Sequence, residues 1–415
     1  MKRHLLIALL ASCQVAILLL PACSKKETPA SAPTNDQPPD VPALATPANG
    51  DTGVALSPTL TWNVANRATS YNLQVATDSA FTGMVSSFTG INSTMKAVTG
   101  LSSTTDYCWR VSAVNNIGTS EWSASWRFRT RAYVNPWTTK APMPTAVWAV
   151  SGVGLNGKVY AVGGASTGSD AFWEYDPVSD SWTAKQPMPG AHGAGTAVAA
   201  VSGKIYVIGG QGTNENHEYD QASNSWKTMA SMPTYRYYAS ATVADGVIYL
   251  IGGLASGGSV STVEAFDPVA NSWSTKAPMS AARHGLATVE VSERIYAIGG
   301  HNYGSGTHYS LTEEYNPASN TWAAKTSMPT ARRAVGYGVV NNLIYIIGGE
   351  NTSGHLSMVE VYNPLTNAWA VKTPMPAPRS HFGCGTDGGN VHCFGGLCSS
   401  GYQVTTNESY APGYD

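Results

Sequence analysis

Residues 205–210 read IYVIGG, and the same phrase returns as VYAVGG (159–164), IYLIGG (248–253), IYAIGG (295–300), IYIIGG (344–349) and, altered, VHCFGG (391–396). The second glycines stand at 164, 210, 253, 300, 349 and 396, so the period runs from 43 to 49 residues. A period of that length marks stacked copies of one supersecondary unit, each burying its apolar face against the next. Other columns keep step. An aromatic stands at Tyr175, Tyr219, Phe266, Tyr315 and Tyr362, with a tryptophan seven residues on at Trp182, Trp226, Trp273, Trp322 and Trp369. A methionine follows six beyond that, at Met188, Met232, Met279, Met328 and Met375. The interval from the second glycine to the aromatic varies, from 9 to 15 residues. Insertion is tolerated there and nowhere else in the unit.

The local chemistry is that of strands and tight turns. The run before the glycines is apolar at nearly every position, which predicts a strand covered on both faces. Segments such as YDPVSDSW and YNPASNTW put Pro, Asp, Asn and Ser between extended stretches, the composition of hairpin turns. Paired glycines end the strand where a side chain has no room or φ must be positive. Charged residues make up only 12% of the chain, against 42 Gly, 21 Tyr and 12 Trp, which suits an all-β protein and argues against a helical one.

Four strands per unit, packed face to face around an axis, make the blades of a β-propeller, and the Gly-Gly, Tyr, Trp, Met-Pro pattern resembles the kelch repeat. The resemblance implies a six-bladed kelch β-propeller over residues 133–415. Its closure is readable at the ends. Trp137 and the Met143-Pro144 pair open the region with no Tyr-Asp before them, and Tyr410 closes it with no Trp after. NPWTTK should therefore supply the outer strand of the blade whose other three strands lie between about 380 and 410.

The N-terminal part reads as three further segments. MKRH, the apolar LLIALLASCQVAILLL and then PAC have the layout of a secretory signal peptide. LPAC resembles the lipobox of bacterial lipoproteins, which implies a signal peptide over 1–22 and lipidation of Cys23. LASC, ending at Cys13, fits the residue pattern but leaves an apolar region of only about five residues, against the usual 7–15; an ordinary cleaved signal is the other alternative. Residues 23–40 hold almost no large apolar side chain and form a Pro-rich tether. Ser24, where an Asp would resemble an inner-membrane retention signal, makes the outer membrane of a bacterial cell envelope the expected address. Residues 41–132 contain PTLTWNV, SYNLQVATD, TMKAVTGL and DYCWRVSAVN, short alternating strands of an antiparallel sandwich. The order of Trp62, Tyr71, Leu101, Tyr107 and Trp109 resembles a fibronectin type III domain, with Leu101 and Tyr107 at the tyrosine corner, which implies a spacer. Cys108, on a core strand, is expected to be a buried thiol.

The last repeat carries cysteines. Aligning its glycines with those of the fifth puts Cys384 and Cys393 at the places of Tyr337 and Ile346, either side of DGGN. If Gly388 and Gly389 form a two-residue hairpin loop, the cysteines are cross-strand partners with Cα atoms about 4.5 Å apart, inside disulfide range. A Cys384–Cys393 disulfide is predicted, and export favours it. A Cys393–Cys398 bridge is the competitor, while a Cys/His metal site with His381 and His392 lacks any paired CxxC spacing.

Function should sit on the face where the loops between second and third strands meet the crossovers from blade to blade, because there the chain varies on a rigid frame. Three residues beyond each Met-Pro or its equivalent stand Val147, His192, Arg236, Arg283, Arg332 and Arg379. The next column is Trp148, Gly193, Tyr237, His284, Arg333 and Ser380, and His381 follows. Two readings are open. The guanidiniums, interleaved with Trp, Tyr and His, form a rim suited to carboxylates and to stacking on sugar rings, or the arginines tie blade to blade through main-chain carbonyls. The candidate ligand-binding residues are Trp148, His192, Arg236, Tyr237, Arg283, His284, Arg332, Arg333, Arg379 and His381, of which Trp148, His284 and Arg333 lie off the repeating column.

Nucleophile elbows, P-loops, HExxH and Rossmann glycines are absent, so no catalytic residue, cofactor or metal is expected. Removing Lys2 and Arg3 with the leader leaves 22 of the 24 Lys and Arg against 26 Asp and Glu, a charge of −4 that offers nothing to nucleic acid. The expected protein is exported and lipid-anchored, touches the membrane only through its anchor, and binds an extracellular or periplasmic glycan or protein. Resemblance to the periplasmic six-bladed kelch enzyme that interconverts sialic acid anomers implies an alternative, a sugar-acid mutarotase with Glu or His as acid and base. A surface scaffold without a ligand is the third reading.

Overall fold

The computed structural model describes residues 37–165, 170–190 and 192–412; the candidate anchor Cys23 lies outside them, as does most of the tether. The chain divides into two compact units between Arg131 and Ala132. The regular elements of the described residues are all β-strands.

In the first unit, Leu44–Thr46, Thr59–Trp62 and Met95–Ala97 form a three-stranded sheet. A five-stranded sheet runs in the order Asp51–Val54, Trp126–Thr130, Asp106–Val114, Ser70–Ala76, Met84–Ile91. Both contribute to one core, in which the Trp62 ring meets Tyr71 edge-on at 5.5 Å. The predicted corner is present: Tyr107 Oη accepts the backbone N–H of Ser102 at 2.8 Å. Cys108 differs from expectation. The period of two that turns Tyr107 and Trp109 inward sends Cys108 to the outer face, where it is half-buried.

The second unit contains six four-stranded antiparallel sheets among its described residues. Five follow chain order. The sixth runs Gly383–Thr386, Val391–Phe394, Asn407–Tyr410, Trp137–Lys140, with Tyr410 opposite Trp137, so the first strand of the unit completes the last blade as the sequence predicts. The unbroken apolar run has its explanation in strand Leu343–Ile347. Ile344 and Ile346 pack with Val289, Tyr296 and Ile298 of the preceding blade, while Tyr345 and Ile347 pack with Val391, Cys393 and Tyr410 of the next. Every side chain of the strand meets a neighbouring sheet, whichever way it points.

The glycines lie where these blades come closest. Gly348 and Gly349 have φ of +55° and +93°, and the Gly349 N–H donates to the Arg379 carbonyl of the next blade at 2.9 Å. A Cβ on Gly348 would stand 2.7 Å from that carbonyl oxygen, and one on Gly349 2.6 Å from the Arg333 carbonyl oxygen.

The turn motif also joins blades, a role its composition alone does not reveal. Asn320, at φ +54°, accepts the Tyr315 hydroxyl at 2.7 Å and the Ala277 N–H of the preceding blade at 2.8 Å. Trp322 Nε1 donates to the Ala277 carbonyl, also at 2.8 Å. Both main-chain groups of one residue are thus held from the adjacent blade. The pairs Asp180/Trp182, Asn224/Trp226, Asn271/Trp273 and Asn367/Trp369 hold Ala141, Gln186, Ala230 and Thr326 in the same way.

Candidate functional site at the loop-rich mouth of the propeller

The arginine column does not face a ligand. Arg236, Arg283, Arg332 and Arg379 are at most 1% exposed. Each guanidinium is bonded to a buried carboxylate two residues before the aromatic of its own blade: Glu264, Glu313, Glu360 and Glu408 respectively. Arg283 bonds Glu313 at 2.6 Å and the carbonyls of Gly299, Ala297 and Leu311 at 2.8, 3.2 and 3.3 Å. Its own carbonyl accepts the N–H of Gly253 in the preceding blade. A guanidinium with almost no accessible surface and its terminal nitrogens bonded to a buried carboxylate and carbonyls cannot recruit a carboxylate from outside, so these four residues are corrected from ligand contacts to ties between blades. His192 is also fully buried, bonded to the Gly209 carbonyl and to His217. In the first blade the same two places hold Val147 and Trp173, in one apolar cluster.

The following column is presented differently, because the backbone pins it to the residue after the double glycine. Tyr237 bridges to Leu254, His284 to His301 and Arg333 to Glu350, and Ser380 pairs with Leu397. These bridges carry the side chains to the mouth of the axis. Arg333 donates from Nε to Glu350 Oε1 at 3.0 Å and from its terminal nitrogen to His284 Nε2, also at 3.0 Å. That fixes the His284 proton on Nδ1, 2.9 Å from Ser259 Oγ. Ser380 Oγ donates to Glu350 Oε2 at 3.1 Å and lies 2.8 Å from His355 Nδ1 and 2.9 Å from His381 Nδ1. Rings continue the arc: Trp148 and Tyr238 lie 5.7 and 5.9 Å from His381, and Tyr237 5.3 Å from Tyr238. Glu350, His355, Tyr238 and His301 carry no signal in the repeat pattern, since they stand in the interval of variable length or one place past the repeating column.

The electrostatics are those of a nearly neutral site. Burial, with Arg333 second, pushes His284 down to about 3, and burial outweighs the pull of Glu350 to leave His381 at about 4. Burial works against ionisation of Glu350 too, but the charges and donors around it hold its carboxyl below the usual value. At pH 7 the cluster therefore contains the Arg333 cation, the Glu350 anion and the uncharged imidazoles of His284 and His381.

Below this mouth the axis is almost filled. A cavity of about 100 Å³ is lined by Gly152, Ala197, Ser240, Tyr337 and Cys384 among others. The buried Tyr337 hydroxyl reaches across to Ser240 Oγ at 2.8 Å.

Cys384 and Cys393 are cross-strand partners, as the alignment predicts, and both are free thiols with Sγ atoms 2.7 Å apart. Counting back from the Asp387 N–H bond to the Asn390 carbonyl makes theirs a non-hydrogen-bonded pair. Cys398 lies on another ribbon with its Sγ against Ser400. Oxidation is expected to join Cys384 to Cys393, giving a single disulfide peptide on mass mapping; a Cys393–Cys398 peptide, or free thiols after exposure to oxidant, would refute that pairing. His392 is occupied with Asp387 at 2.9 Å and does not approach His381's cluster.

Comparison with known proteins supports this architecture. Residues 144–349 match a family model described as the KLHDC2/KLHL20/DRC7 Kelch-repeats domain, and residues 331–376 match the Kelch motif. Residues 51–133 match the Rha78A-like, N-terminal immunoglobulin domain, which supports an immunoglobulin-like sandwich, a broader class than fibronectin type III. Kelch-like protein terF of Aspergillus terreus is 30% identical over 151 residues, 31% of this chain and 33% of the relative. Kelch-like protein 35 of Mus musculus is 31% identical over 138 residues, 32% of this chain and 24% of the relative. The chain thus spans a third or less of these relatives. A solved structure described as that of YjhT aligns with a TM-score of 0.57 at 18% identity, over 65% of this chain and 95% of that one, a likeness of fold. The chain carries kelch repeats folded as a six-bladed kelch propeller, preceded by an immunoglobulin-like domain.

Proposed function

We propose that this is an exported, lipid-anchored binding protein whose loop-rich propeller face takes a neutral glycan. Kelch repeats, in this chain and its relatives, support an interaction propeller. The glycan reading rests on one observation: an arc of Tyr235, Tyr237, Tyr238 and Trp148 borders a charge pair that cancels itself. Aromatic rings offer apolar faces to sugar C–H groups, while the surrounding Arg, Glu, Ser and His supply hydroxyl partners. Arg333 already serves Glu350 and His284, so the site holds no spare cation for a sugar acid. That argues against the carboxylate ligand suggested by the arginine column.

The test is thermal unfolding of the full-length chain in mild detergent with neutral and sialic-acid-bearing oligosaccharides side by side. Ligand at a hundred times its Kd adds about 2.7 kcal/mol, a rise of several degrees. Neutral sugars alone should give it, and Trp148→Ala and Arg333→Gln should abolish it. A shift with acidic sugars alone would overturn the neutral ligand and call for an anomer-exchange assay. Silence across the sugars would overturn the glycan in favour of a protein ligand. Export and anchoring rest on the leader and on LPAC. Cys23→Ser should move the protein from the membrane to the soluble fraction, and wild-type protein already in the soluble fraction would remove the anchor.

A further inference from the structure

The blade tie changes its chemistry once in a way that creates a site. Where four blades pair Arg with Glu, the second blade has His192 and His217, and Glu215 stands two residues before His217. We propose that His192, Glu215 and His217 bind a divalent transition metal of the zinc class.

One ligand atom from each of the three side chains lies within 4.8 Å of the other two. His192 Nδ1 is 2.7 Å from the Gly209 carbonyl oxygen, a bond it can make only as donor, so its Nε2 lone pair points inward. A carbonyl or carboxylate held on the far nitrogen is the usual outer support of a metal-bound imidazole. Opposite it stands His217 Nδ1, at 2.7 Å. Two ring nitrogens facing each other share one proton, carried by His217 Nδ1, and a metal ion can take that proton's place as His217 changes to the tautomer protonated on Nε2. Tetrahedral zinc, at about 2.0–2.1 Å from each nitrogen, needs the pair about 3.3 Å apart, a small opening.

Room for the third ligand depends on a glycine. A Cβ at Gly190 would stand 2.7 Å from Glu215 Oε2, so any other residue there would displace the carboxylate. Both histidines are at most 2% exposed, while Glu215 is half-exposed. The fourth coordination position therefore opens to solvent on the carboxylate side, where water would complete the shell. Two imidazoles and one carboxylate suit zinc and its neighbours and not magnesium, which prefers oxygen ligands. The competing account is a bare imidazole–imidazole hydrogen bond serving as the local tie.

The test strips the purified full-length chain with chelator, then measures zinc binding by equilibrium dialysis with elemental analysis. Cobalt(II) absorption reports coordination geometry. The expected result is a zinc site absent from His217→Gln and weakened at least tenfold in Glu215→Gln, with tetrahedral cobalt bands lost in parallel. The site should persist in Cys384→Ser and in His284→Asn/His381→Asn, which remove the other ligand clusters. Where His217→Gln fails to fold by circular dichroism, the partly exposed Glu215→Gln decides. Zinc bound equally by wild type and Glu215→Gln, or no zinc bound by wild type, would overturn the proposal and leave the hydrogen-bonded pair.

Discussion

Arg332→Met is expected to destabilise the propeller by about 3–5 kcal/mol, because it leaves the Glu360 carboxylate buried and uncompensated. Glu360 has no accessible surface and its other partner is the Thr330 hydroxyl at 2.8 Å, so water cannot replace the guanidinium. The carbonyls of Ile346 and Thr330 also lose a donor. Converting both partners, Arg332→Met with Glu360→Leu, should recover much of the loss, since an apolar pair needs no counter-charge. The first blade already does this with Val147 and Trp173. Chemical denaturation followed by tryptophan fluorescence provides the measurement. A single variant costing under about 1 kcal/mol would show that the guanidinium is not a tie, and a double variant worse than the single would show that the charge pair is required as such.

Acidification from pH 7 to 5 should cost the propeller about 3–4 kcal/mol. His284 and His381 are held at about 3 and 4 in the folded state, against about 6.5 in an unfolded chain. Between those values the unfolded chain binds protons that the folded one refuses. Stability is therefore complete above pH 6.5 and falls as pH drops toward 4, by about 1.4 kcal/mol per unit for each group. His301, His308 and His392 are lowered by burial and act in the same direction. Carboxylates act elsewhere: Asp176 and Asp387, at about 2, give up stability only below about pH 4. Melting at pH 7 and 5 should show a fall of several degrees, reduced in His284→Asn/His381→Asn. A melting temperature independent of pH over this range would mean that the imidazoles are more open to water than the structure places them.

Much of the architecture is legible in the sequence because repetition averages out local noise. The double glycine recurs in every copy, the aromatic, tryptophan and methionine columns keep fixed spacings from one another, and the mismatch at the two ends of the repeat region is enough to identify the closing strand. The arginine ties are half legible. Their partners sit 28 to 30 residues downstream, across the interval of variable length, yet a Glu stands two places before the aromatic in VEAF, TEEY, VEVY and NESY. Where the arginine is missing, Trp173 and His217 occupy that place, so the two columns taken together pair them. The cluster around Arg333 is less accessible. Glu350 and His381 meet through a backbone bridge and the curvature of the ring, neither of which has a spacing signature. Cys108 takes the face opposite to the expected one because an alternating strand offers two, and the tryptophan next to it claims the inner one.

The closing strand also dictates an order of events in folding. Trp137–Lys140 is made some 270 residues before its partner Asn407–Tyr410, so during synthesis it waits unpaired while five complete blades emerge. Such distant pairing pays its chain entropy before any contact rewards it, which makes ring closure a late step and a slow one. Until then the nascent chain exposes an unmatched edge at each end of the stack, which only pairing with its own other end removes. A chain cut short by its final ten residues would therefore keep nearly all its repeats and still lack the seam, remaining open to pairing with a second unfinished copy.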